Sequence, residues 1–152
     1  MSAPIRWLAG WWHRRPLDHM AELRETYVSL RFFGDTLEPQ EITAILGIEP
    51  SRAYRKGDPW STDENRRYRR TGAWLYRVPR AEPGDLVRQL HDLLNASTAN
   101  TDQWVRLTNR YHGDIFCGLF MVETNEVVEI SPLLLEAIAG RGLRLSLDVY
   151  AP

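Results

Sequence analysis

The sequence predicts an α+β fold, a two-layer sandwich of about four strands in a mixed sheet with helices on one face. Three observations carry that prediction. Four runs, at 27–33, 74–78, 115–122 and 143–150, have strand patterning, and apolar stretches at helical spacing separate them. Proline and glycine bracket two of those stretches at the same step, Pro39 to Gly47 and Pro132 to Gly140. Composition then sets the scale: 152 residues, 43% hydrophobic and 26% charged, suffice for one domain with a substantial core.

Residues 1–26 read as an arm attached to a single domain, 27–152. The stretch Ile5–Trp12 (IRWLAGWW) is apolar but far too short to span a bilayer. It lacks the long apolar run and small-residue cleavage site of a secretory signal, so the chain is expected to be cytoplasmic. One cysteine, Cys117, agrees with a reducing compartment. Ile5, Leu8 and Trp12 share one side of a possible helical turn, and Pro16 suits the start of a second one carrying Leu17, Met20 and Leu23. The favoured expectation is an arm packed on the domain's own apolar surface. A partner-binding or membrane-surface anchor is the alternative, since tryptophan beside arginine suits both.

In the domain, YVSLRFF alternates, with Val28, Leu30 and Phe32 on one face and Ser29 and Arg31 on the other. Pro39 opens a short helix with Ile42, Ile45 and Leu46, closed by Gly47. Residues 74–78 form a second strand. Asp85 caps a helix whose Leu86, Leu90, Leu93 and Leu94 share a side, and Trp104, Leu107 and Tyr111 mark the next. IFCGLFMV, 115–122, is apolar on both parities and reads as a central strand. Ser131-Pro132 starts the last helix, and LRLSLDVY alternates Leu143, Leu145, Leu147 and Val149 against Arg144, Ser146, Asp148 and Tyr150. Ile42, Ala44 and Ile45 fall opposite Leu135, Ala137 and Ile138 in the repeated step, so two strand–helix–strand halves share one sheet. A ferredoxin-like arrangement is the nearest named architecture.

The two halves differ in one way. After the first helix about two dozen residues intervene before the strand, more than a connector needs, so 51–74 is an insert. The stretch Ser51–Arg80 holds nine of the nineteen basic residues against Asp58, Asp63 and Glu64, a local charge of +6 in a chain of net −1. Arg52, Tyr54, Arg55, Lys56, Asp58, Trp60 and Trp74 make one candidate binding set around a glycine turn; Arg66, Arg67, Tyr68, Arg69 and Arg70 make a second. Guanidinium groups beside aromatic rings suit contact with an anion or an acidic protein surface. A tight structural loop with Trp74 in the core, and a solvated charge run, are the plain alternatives. The GxxxxGK[ST] spacing of nucleotide hydrolases is absent.

Catalysis finds little support. His13, His19, His91 and His112 are scattered without metal-ligand spacing, so no metal or other cofactor is expected. Asp35, Glu38 and Glu41 are explained as helix-entry carboxylates, and Cys117 as a buried thiol. Arg31 is a candidate to pair with Asp148 across the open sheet face.

The pattern ITxxLGxxPxxxxRKGDP over Ile42–Pro59, then TGAW, then SPLLLEAIAGRGLRLSLDVY, resembles a family of small bacterial proteins catalogued as a domain of unknown function. The resemblance runs from Tyr27 to Tyr150 and implies an α+β domain without assigned catalytic residues. The function expected is therefore a non-catalytic binding module that engages an acidic protein partner through the Arg/aromatic insert. An immunity-type protein neutralising a toxin from its own cell, or an adaptor, is one form of it. Nucleic-acid or phosphate-ligand binding is the alternative, and oligomeric state stays open.

Overall fold

The computed structural model describes residues 23–60 and 67–152. The arm up to residue 22 and the segment 61–66, which includes Arg66, lie outside them. Nine elements follow in order: β1 (Leu23–Gly34), α1 (Pro39–Leu46), β2 (Arg52–Tyr54), β3 (Gly72–Arg77), α2 (Leu86–Ala96), α3 (Thr101–Arg110), β4 (His112–Met121), α4 (Pro132–Ala139) and β5 (Arg144–Tyr150). The fold is α+β, with one open mixed sheet in the order β2-β3-β1-β4-β5.

Helix ends follow the chemistry of their residues. Pro39 occupies the first turn of α1, and Gly47 ends it in the left-handed region at φ 73°, a conformation that costs glycine nothing. The Asp85 carboxylate accepts from the Arg88 N–H to cap α2, and the Ser131 hydroxyl accepts from Leu134 to cap α4. Asn100 does the same for α3, accepting from Asp102 and Gln103.

Register separates the sheet's two faces. Val28 lies opposite Cys117, Leu30 opposite Ile115, and Phe32 opposite Trp74, and all six are fully buried. They share one core with Ile42 and Leu46 of α1, Leu90 and Leu93 of α2, Trp104 and Leu107 of α3, and Leu134 and Ile138 of α4. All four helices thus cover the same face. Two polar side chains that enter this layer pair with each other: the Thr26 hydroxyl donates to Gln89 Oε1 at 2.6 Å, while Gln89 Nε2 donates to the Thr26 and Pro79 carbonyls. Tyr27, Ser29, Arg31 and Phe33 alternate onto the opposite, open face.

The sheet has five strands where the sequence suggests four. The additional one, β2, is three residues inside the insert, too short to show a period of its own. It pairs antiparallel with β3, which pairs antiparallel with β1, so β1–α1–β2 is a parallel unit split by β3. By contrast β4 and β5, joined through α4, are direct parallel neighbours. Only the first half therefore has the split arrangement that a ferredoxin-like sheet repeats in both. Leu23, assigned to a helical turn of the arm by spacing, instead opens β1 opposite Met121, and a bulge between Leu23 and Glu25 breaks the alternation there.

Candidate functional site

The insert is a hairpin that outruns the sheet. Beyond the β2–β3 ladder, the chain turns at Arg55-Lys56-Gly57-Asp58, where Gly57 adopts φ 87°. The Asp58 carboxylate accepts the Arg55 N–H at 2.7 Å, which closes the turn on itself. Pairing then resumes: Gly57 N–H donates to the Arg69 carbonyl, Arg69 N–H to the Asp58 carbonyl, and Trp60 N–H to the Arg67 carbonyl, each at 2.8 Å. A bridge between Pro59 and Tyr68 belongs to the same ladder.

Both turn cations are engaged at the entry of α1. Arg55 donates to Glu38 at 2.7 Å and to Gln40 at 2.8 Å, and Lys56 pairs with Asp35. Lys56, then Thr71, holds the Asp35 carboxyl below its ordinary range. These are exposed, solvent-screened pairs, so they orient the hairpin more than they stabilise the fold. Glu38 and Glu41 stand at the entry of α1, where helix-entry carboxylates were expected, and each also has a specific partner. Glu38 is the N-cap residue of α1 but makes no side-chain cap bond, and Glu41 reaches Arg110 and the Tyr111 hydroxyl.

The second set of arginines divides by environment. Arg69 is buried, its guanidinium held between the Trp60 ring at 3.8 Å and the Tyr54 ring at 4.1 Å. Its Nε has no hydrogen-bond partner among the described residues, as expected of a cation gripped by ring faces. Arg67, Tyr68 and Arg70 are exposed, as is the outer surface of Trp60; Tyr68 and Trp60 are 56% and 55% accessible. Arg52 stands over Tyr54 at 5.6 Å. Trp74 departs from the rest. It is fully buried, donates its indole N–H to Thr43 Oγ1 at 3.0 Å and meets Phe32 edge-on, which removes it from any surface.

The open face of the sheet carries what the sequence reading passed over. Tyr54 belongs to this face, so the Trp60–Arg69–Tyr54 stack continues it. Arg31 crosses from β1 to β4, where Nε and Nη2 meet the two Asp114 oxygens at 2.8 and 2.6 Å, and Ser146 donates to the same carboxylate at 3.1 Å. The partner expected for Arg31 was Asp148. Register decides otherwise, because Arg31 lies directly opposite Asp114, whereas Asp148 lies opposite Gly118. The Asp114 carboxylate raises the Arg31 pKa further, and the guanidinium also covers the Phe116 ring at 4.2 Å.

Along the same face the Tyr27 ring lies flat across Gly118, where an added Cβ would sit 2.0 Å from a ring carbon. Phe120 and Tyr150 stack at 4.4 Å and 5°, with Arg24 against Phe120 and Arg80 against Tyr27. Tyr150 donates to Asp148 at 2.6 Å, which with the Tyr27 hydroxyl pushes its pKa up to about 12. The signal was present as alternation in 27–33 and 112–120, where every second residue is aromatic, charged or small.

Other chemistry is sparse. An open groove of about 580 Å³ runs between α1 and the hairpin, lined by Pro39, Thr43, Ala44, Ala53 and Arg55 among others. Among the described residues no three metal-ligating side chains converge. Cys117 is fully buried, and burial pushes its thiol up to about 12, which makes it a poor nucleophile. No helix of the described residues is long and apolar enough to cross a membrane.

Fold and surface together define an α+β domain with helices on one face of the sheet and arginine–aromatic stacks on the other. The chain belongs to the family described as Domain of unknown function (DUF4279), whose model matches residues 24–152. No curated protein and no solved structure matches it significantly.

Proposed function

We propose that this protein is a non-catalytic binding module that grips a protein partner with the Trp60/Tyr68 hairpin and the adjoining open sheet face. The observation that carries this reading is the Trp60–Arg69–Tyr54 stack. It holds a large, half-exposed tryptophan on a short hairpin at little remaining entropy, which is the property of an interface anchor. Arg67 and Arg70 flank the anchor and favour an acidic surface on the partner.

A protein fits better than a nucleic acid. The open face interleaves Glu25 and Asp148 with its arginines, and a polyphosphate backbone is repelled by such carboxylates. Arg55 and Lys56, the residues best placed by sequence for a phosphate, are already paired with Glu38 and Asp35. An immunity-type or adaptor protein of the cytoplasm is one form of this function.

The test is affinity capture of the full chain from its own cells, beside a variant carrying Trp60→Ser, Arg67→Ser, Tyr68→Ser and Arg70→Ser. One protein recovered with the wild type and lost with the variant is the expected result. Recovery of mixed nucleic acid that nuclease removes would replace this reading with the alternative, and equal recovery with both forms would move the site elsewhere.

A further inference from the structure

The helix layer has a gap. In β5, Leu145, Leu147 and Val149 lie opposite Ile115, Cys117 and Leu119, so all three face the core side. Leu145 is partly covered, yet Leu147 and Val149 are 50% and 54% exposed. Beside them α4 buries Leu134 and Ile138 but leaves Leu133 and Leu135 open, and Val122 and Val127 of the connection after β4 are open too. An apolar strip on the core-facing side of a strand is a place a further element normally covers.

We propose that the occupant is this chain's own Trp-rich segment, residues 5–12. Three facts select it. The arm joins the domain at Leu23, which sits opposite Met121, at the same end of the sheet as Val149 and Tyr150 and only two strands away from them. At about 4.8 Å per strand that gap is roughly 10 Å, and the eleven residues from Trp12 to Leu23 reach about 36 Å when extended. Charge agrees: residues 5–15 carry Arg6, Arg14 and Arg15 and no acid, while 122–130 carry Glu123, Glu126 and Glu129 and no base. Ile5, Leu8, Trp11 and Trp12 supply the apolar surface to cover Leu147 and Val149, and the arginines then meet the glutamates at the rim.

The test uses the full chain. Cys117 is fully buried, so a Glu136→Cys variant takes a nitroxide label at α4 alone, beside the strip. The readout is the indole N–H signals of the chain. The signals of Trp7, Trp11 and Trp12 are expected to lose most of their intensity, and adding Leu147→Lys with Val149→Lys, both at exposed positions, should restore them. Full intensity in the labelled parent would overturn the proposal. So would loss confined to a mixture of labelled and isotope-enriched chains, which would show a second copy on the strip. Loss that persists in the lysine variant would also overturn it, because the strip would then not be the seat.

Discussion

Replacing Arg69 with alanine should open the hairpin while leaving the domain folded. The guanidinium lies 3.8 Å from one ring centre and 4.1 Å from another, and the residue is 8% exposed. Two partly desolvated stacks contribute about 3 kcal/mol together. The buried Nε without a hydrogen-bond partner takes back about 1 kcal/mol, leaving roughly 2 kcal/mol, or a factor of about 30 in the opening equilibrium. Native-state hydrogen exchange reads this directly. The Gly57 and Trp60 amides, both bonded across the hairpin, should exchange about thirtyfold faster, while the β1 amides remain unchanged. Arg69→Lys should fall between the two, because an ammonium keeps the charge but lacks the planar stacking surface. Unchanged exchange at Gly57 and Trp60 would refute the reasoning, and equal acceleration in β1 would show that Arg69 supports the whole fold instead.

Three other outcomes follow from the open face and the core. Arg31→Met strips the bidentate partner from Asp114, whose side chain is 4% exposed, and should cost about 3 kcal/mol by urea unfolding. Adding Asp114→Leu should recover part of that loss, and strictly additive losses would deny the coupling. Gly118→Ala forces the Tyr27 ring off the sheet and should cost about 1–3 kcal/mol; an unchanged melting temperature would mean the ring does not lie there. Cys117 should resist thiol reagents until urea unfolds the chain. Because its folded value of about 12 stands above the ordinary 9.0, its contribution to stability is full below pH 9 and declines as pH rises towards 12. Wild type should therefore lose more stability across that interval than Cys117→Ala, and parallel profiles would contradict the burial.

Much of the fold was legible because its signals are local. The Pro39…Gly47 step, the Asp85 and Ser131 caps and the alternation of 27–33 each depend on neighbours within a few residues. The three helices stand where those signals put them, and 27–33 is the part of β1 that the alternation marks. What was missed depends on pairing between distant segments. β2 exists because β3 folds back on it, and three residues cannot show a period. The partner of Arg31 is chosen by the register of β1 on β4, across 83 residues, and alternation alone left Asp148 equally eligible. The same limit hid the pairing of Arg55 and Lys56 with Glu38 and Asp35 and placed Trp74 on a surface list, since both outcomes follow from how α1 docks on the sheet.

The central claim, that the hairpin and the open sheet face are the binding surface, is tested most directly by hydroxyl-radical footprinting of the protein recovered with its partner. Trp60 and Tyr68, about half exposed in the isolated chain, should become protected in the complex together with Tyr27 and Phe116. Protection confined to Leu133 and Leu135 of α4, with Trp60 and Tyr68 oxidised as fast as in the isolated chain, would contradict it.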